Sequence, residues 1–115
     1  MSAATPIPAP SAASPSLAAL KASVAAALPE LVAIRRHLHA HPELSGNEHQ
    51  TAALVAGELR GLGWSVREGV GRTGVLAELG PAQGPLVALR VDMDALPVEE
   101  RTGLPYASEI GRAHV

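Results

Sequence analysis

Two carboxylates two residues apart, Asp92 and Asp94, follow the basic side chain of Arg90 in the string LVALRVDMDALP, residues 86–97. On extended chain, residues i and i+2 project to the same side. Carboxylates so placed could share a cation, or hold opposite protonation states as an acid and a base. The other reading of the spacing is that Arg90 neutralises them at a solvated loop entrance. Before Arg90, Leu86, Val87, Ala88 and Leu89 form a continuous apolar run bounded by Gly84-Pro85. Such a run suits a strand covered on both faces. Its carboxyl end is then where an open α/β sheet binds ligands.

Three histidines, His37, His39 and His41, are a second candidate cluster. On a helix, positions 37 and 41 share a face while 39 points elsewhere, so the three cannot converge on one ion without breaking the helix. A pair at i and i+4 can bind zinc, but it then needs a glutamate and a third ligand nearby. Pro42 also distorts that last turn. A helix-terminal cluster favoured by the dipole is the simpler reading.

The elements that must position these groups follow from periodicity. Leu17, Leu20, Val24 and Leu28 recur at helical spacing, and Leu31, Ile34 and Leu38 continue the stripe past a joint expected at Pro29. Pro29 fits the first turn of a second helix, which must end at His41-Pro42. Residues 47–62 read as the best helix, with Asn47 as N-cap, Gln50 completing a capping box, Val55, Leu59 and Leu62 as the apolar stripe, and Gly63 as the stop. Residues 64–68 and 74–79 read as strands joined by a turn at 69–72. With the run from Leu86, the order is helix, helix, strand, strand, strand, an α/β layer with an antiparallel pair.

That turn spells GVGRTG, so Gly69, Gly71 and Gly74 formally match a dinucleotide fingerprint. The fingerprint works only where its last glycine opens a helix that holds the pyrophosphate. Between Gly74 and the breaker Gly80-Pro81 no helix fits, and nucleotide binding is not expected.

Composition bounds the function. The chain has 115 residues, enough for one small domain; 47% are hydrophobic, yet there is no Phe, one Trp and one Tyr, so any core is assembled from small side chains. Nine basic against eleven acidic residues, net charge -2, give no electrostatic case for nucleic acid or an anionic membrane. Without cysteine there is neither a disulfide framework nor a thiolate ligand. Residues 1–16 are Pro, Ala and Ser rich with no charged side chain and read as a disordered leader. They lack the basic start and unbroken apolar centre of a secretory signal. Nothing downstream reads as apolar for long enough to span a bilayer, and a cytoplasmic protein is expected.

RRHLHAHPELS at 35–45, GVGRTGVLAEL at 69–79 and LRVDMDALPVEERTGLPYAS at 89–108 together resemble, in order and spacing, the start of the metal-dependent N-acyl-amino-acid amidohydrolases. The branch resembled is that of the hippurate and auxin-conjugate hydrolases, within the aminoacylase and carboxypeptidase G metallopeptidase family. The resemblance covers residues 28–108. It implies the N-terminal part of a zinc-peptidase-like catalytic domain, incomplete here, with two helices and then three strands of a mixed sheet. It further implies a longer protein with two divalent metals (zinc, manganese, cobalt or nickel), an N-acyl amino acid as substrate, and a smaller dimerisation domain giving a homodimer or higher assembly. In that family a metal-activated water attacks an amide carbonyl, with a glutamate as general base. Asp94 matches the aspartate that orients a metal-binding histidine from behind. Asp92 stands where the carboxypeptidase branch has that histidine, and an aspartate there is similar to the hippurate hydrolase pattern, so it is near the site without being a ligand. The branch's Cys-Gly-His-Asp motif, its Glu-Glu pair and its further histidines would lie beyond Val115. Neither Glu99-Glu100 nor the His37 cluster matches them, and no metal is expected to bind this chain tightly.

Residues 109–115 depart from the resemblance. IGRAHV is what the codons ATC GGA AGA GCA CAC GTC encode, a string that looks like a sequencing-library adapter read in frame. Residues 109–115 therefore read as a truncated tail in which Ile110 to Val115 are of foreign origin; the other reading aligns His114 with the histidine before the family's cysteine, and no role is assigned to Arg112 or His114. The expected organisation is a leader at 1–16, the start of a catalytic domain at 17–108, and this tail. The expected function is that of a segment of a metal-dependent amidohydrolase, inactive alone. The alternatives are an inert truncated product or a small module that interacts through its Ala-rich helices.

Overall fold

The computed structural model describes residues 14–110. The expectations for residues 1–13 of the leader and 111–115 of the tail lie outside the described residues. The order of elements is α1 (Leu17–Ala40), α2 (His49–Gly61), β1 (Ser65–Val70) and β2 (Gly74–Glu78). This is a partial α/β arrangement, as expected, with two strands where three were expected. The described residues form two compact units, one being Glu43–Leu96 and the other containing α1 with residues 97–110.

In the unit containing α1, the helix opens on Ser16, whose hydroxyl accepts the Ala19 N–H at 3.1 Å. It runs through Pro29 without a break, so the expected joint is absent. A proline inside a helix removes one N–H and crowds the carbonyl four residues earlier. Here that carbonyl belongs to Ala25 in the run Ala25-Ala26-Ala27, the strongest helix formers with the least side-chain bulk. The helix ends before Pro42 as expected: His41 has left helical geometry at φ -118°, ψ 62°.

No residue of α1 is buried, and Leu17, Leu20, Val24, Leu28 and Leu31 are all exposed. With 24 residues it is long and apolar enough to cross a membrane, which corrects the expectation that nothing downstream of the leader is. The reason is the spacing of charge: Lys21 and Glu30 are the sole charged side chains before Arg35. Length and composition alone do not separate a spanning helix from the core helix of a soluble protein, which carries the same apolar stripe.

In the Glu43–Leu96 unit, α2 packs against both strands of an antiparallel hairpin. The buried residues there are Thr51, Ala52 and Ala56 on α2, with the Glu48 side chain before it. The helix stops at a paired C-terminal motif, in which the Trp64 N–H reaches the Leu59 carbonyl and the Gly63 N–H reaches the Arg60 carbonyl, both at 3.0 Å. That closure needs the left-handed φ of +88° at Gly63.

The hairpin pairs Ser65 with Glu78, Val66 with Ala77, Arg67 with Leu76 and Glu68 with Val75, then shifts register so that Val70 faces Gly74. A Cβ on Gly74 would sit on the Val70 carbonyl oxygen, so the shift requires glycine there. GVGRTG is thus a bulged hairpin turn, and Gly74 begins a strand rather than a helix.

The third strand is not formed. Leu86, Val87 and Leu89 are about nine-tenths exposed, and no strand among the described residues pairs with them. A strand meant to be covered on both faces holds its shape through neighbours at its edges and layers above and below it. None of the described residues supplies these.

Candidate functional site

Arg90, Asp92 and Asp94 follow the exposed run. Arg90 and Asp92 form an ion pair at 2.8 Å between two largely exposed side chains, the neutralising arrangement that the spacing allowed. In water such a pair contributes little. Asp94 is exposed. The chain around it is nevertheless held at one place. The Ala95 N–H donates to the Glu43 carbonyl at 2.8 Å, and Leu44 and Ala95 form a parallel bridge.

The loop that receives Ala95 is fixed by two glutamates. Glu43 turns its carboxylate onto the N-terminus of α2, where it accepts the backbone N–H groups of Gln50, at 3.1 Å, and Thr51, and the Thr51 hydroxyl, at 2.6 Å. These are donors that a helix start leaves unpaired, and negative charge is favoured there. Partial burial pushes the Glu43 carboxyl up, but the bonds from Thr51 and Gln50, helped by nearby His49, outweigh it and hold the group below its ordinary value. Glu48 accepts the Thr73 hydroxyl at 2.6 Å and the Gly46 N–H at 2.9 Å, which ties the same loop to the hairpin turn. The Thr73 bond leads in lowering its carboxyl.

The expected capping box is therefore replaced. Asn47 is taken up in a turn, its N–H bonded to the Leu44 carbonyl at 2.9 Å, and Glu48 occupies the N-cap position without a side-chain bond to the helix. A carboxylate arriving from Glu43 offers two acceptor oxygens and a charge, which an asparagine amide cannot match.

In the other unit the histidines separate as their spacing requires. The His41 ring N–H caps α1 through the His37 carbonyl at 2.9 Å, with the His37 and His41 rings 4.6 Å apart. His39 turns away to Glu100 at 2.7 Å. Glu100 also accepts the Ser108 N–H at 2.6 Å and the Thr102 hydroxyl at 2.7 Å, and the Ser108 bond leads in bringing its carboxyl down to about 2. The Arg36 guanidinium lies 4.5 Å over the Tyr106 ring. Glu100 is thus the knot that ties residues 97–110 to the end of α1, a role that sequence reasoning did not assign. Glu43 and Glu48 went unassigned as well. The signal for Glu43 was an acid just after Pro42 with a hydroxyl residue, Thr51, inside the first turn of the helix beyond it.

Among the described residues no group of three His, Asp or Glu side chains could hold a metal ion. Asp92 is engaged by Arg90, the adjacent His37 and His41 rings are joined by a cap to the His37 carbonyl, and His39 turns away to Glu100. These residues do not by themselves fit a two-metal centre.

Over 83 residues the chain is 61% identical to a probable hydrolase of Synechocystis sp., a match covering 70% of this chain and 21% of that protein. Over 81 residues it is 51% identical to N-acetyl-L-cysteine deacetylase of Bacillus subtilis, covering 70% of this chain and 20% of that enzyme. An IAA-amino acid hydrolase of Arabidopsis thaliana is 44% identical over 85 residues, 73% of this chain and 20% of the relative. The chain carries a segment of the amidohydrolase family. It spans about one-fifth of the length of these curated relatives. No protein-family model matches it, and no solved structure does. In this amidohydrolase segment the loop at 43–48, the start of α2 and the peptide after Asp94 form one connected set of bonds.

Proposed function

We propose that the longer protein carrying this segment hydrolyses the amide bond of N-acyl amino acids of the hippurate type. Water adds to the amide carbonyl, the C–N bond breaks, and the amine leaves with a proton, releasing a carboxylic acid and an amino acid. The observation that carries the reading is the identity to relatives named as an N-acetyl-L-cysteine deacetylase and an IAA-amino acid hydrolase. A divalent metal, zinc, manganese, cobalt or nickel, would supply the activated water, held by residues outside this chain. Asp94 would orient such a ligand from behind, and Asp92 would lie beside the site with its charge answered by Arg90. The longer protein would be cytoplasmic and at least a homodimer.

The test is turnover of N-acetyl-L-cysteine and of hippurate by the purified longer protein. The expected result is release of the free amino acid, lost on chelation and restored by added metal. No release from either substrate would overturn the reading. For the 115-residue chain alone the expected result is no hydrolysis, and chelator-sensitive turnover by it would contradict the assignment of the metal ligands to residues elsewhere. A second reading, a module that interacts through α1, is favoured by the exposed stripe from Leu17 to Leu31. A chain that melts as a stable monomer with α1 intact would support it.

A further inference from the structure

We propose that Glu43 is a positioning residue that couples the N-terminus of α2 to the Asp94-Ala95 peptide. Its two ends do different jobs. The carboxylate takes three hydrogen bonds from Gln50 and Thr51, so the side chain cannot move without unpairing the first turn of α2. The carbonyl of the same residue accepts the Ala95 N–H at 2.8 Å, and the next residue, Leu44, bridges Ala95 in parallel register. Between residue 79 and residue 94 the chain lies outside any sheet and is exposed but for the half-buried Met93, so this contact is the hydrogen bond that places the Asp94-Ala95 peptide relative to a packed element. Glu48 braces the far end of the loop through Gly46 and Thr73, which leaves Glu43 little freedom to accommodate a change. A residue held at both ends transmits its own displacement to its partners, because each bond is directional.

The consequence for chemistry rests on the reading of Asp94 given under Proposed function. The coupling itself does not, and the two can fail separately. In the 115-residue chain, amide hydrogen exchange at Ala95 is compared between wild type, Glu43→Ala, Glu43→Gln and, as a control, Glu68→Gln, which removes an acid of the same unit that bonds Arg60 instead. Glu43→Ala is expected to raise Ala95 exchange on the order of tenfold, the scale of a lost helix cap. Glu43→Gln keeps one acceptor oxygen and is expected to raise it less, and Glu68→Gln is expected to leave it unchanged. If the first turn of α2 loosens in Glu43→Ala while Ala95 keeps its wild-type exchange, the coupling is wrong and Glu43 is a cap alone. Should Glu43→Ala fail to fold, Thr51→Val removes a single hydroxyl donor from the same carboxylate. A rise at Ala95 in that variant supports the coupling, and no change overturns it.

In the longer protein, Glu43→Gln is expected to lower kcat severalfold with KM unchanged, and to add nothing to Asp94→Asn in the double variant. Raised Ala95 exchange with an unaltered kcat would leave the coupling standing and remove Asp94 from the hydrolytic site.

Discussion

Residues 65–78 and residues 86–94 belong to the same unit and are built from similar material, short apolar runs punctuated by glycine and charge. The first is a registered hairpin under a helix, while the second belongs to no strand and is exposed at every residue but the half-buried Met93. The difference lies in where their partners are in the chain. Each hairpin strand finds its mate across a three-residue turn, and α2 immediately precedes them. Closing such short loops costs little entropy. The run from Leu86 has the composition of a central strand, whose mates come through long crossovers in an α/β sheet. Local pairing and central position are therefore separable properties, and only local pairing is satisfied by the described residues.

Three substitutions or conditions would sharpen or break that contrast. The largest effect is expected from Gly74→Ala, because the new Cβ meets the Val70 carbonyl oxygen. The hairpin should lose about 2–3 kcal/mol, the scale of overpacking a tight site, measured by urea unfolding. A loss under about 0.5 kcal/mol would show that the register shift can relax.

Acid should act next, and not on the exposed run. The Glu43 and Glu48 carboxyls are held below their ordinary value of 4.5 in the folded chain, so the unfolded chain binds protons more readily. Their contribution is fully present above about pH 4.5 and falls away as the pH drops below it. For Glu100, at about 2, the loss extends from 4.5 down to that value. Amide exchange at Gln50 and Thr51 should therefore accelerate between pH 4.5 and 3, after correction for intrinsic rates, while Val87 to Val91 show no added change. Protection at Gln50 that survives to pH 3 would remove the carboxylate cap.

The smallest effect is expected at Leu89→Ser. At nine-tenths exposure its side chain has almost no area to lose, so the melting behaviour should match wild type within about 0.5 kcal/mol. A larger loss would mean that the run is covered after all.

What could be read in advance divides along the same line. α2, its stop at Gly63 and the hairpin depend on neighbours within a few residues, and their patterns were legible to within a residue or two. The rejection of GVGRTG as a nucleotide loop was legible too, since it needed only the distance to Gly80-Pro81. The joint at Pro29 was misread because proline was weighed alone, while the alanine run at 25–27 before it favours continuing the helix. Asn47 was misread as the cap because the true one arrives from Glu43, eight residues before Thr51 and outside the window of a capping box. The third strand was misread because an apolar run reports that burial is wanted, not that it is supplied. In the candidate site, the Arg90–Asp92 pair was visible as one of two options, whereas the tie from Glu43 to Ala95 spans fifty-two residues and leaves no local trace.

The most direct test of the functional account is the rate of N-acyl amino acid hydrolysis by the longer protein carrying Asp94→Asn. An amide at this position cannot hold a ligand's ring N–H as a carboxylate does, and kcat/KM should fall by about 10–100-fold, the usual cost of losing such a partner. The fold should be unchanged, since the Asp94 side chain is exposed. An unaltered kcat/KM in the folded variant would take the DMDALP stretch out of the hydrolytic site.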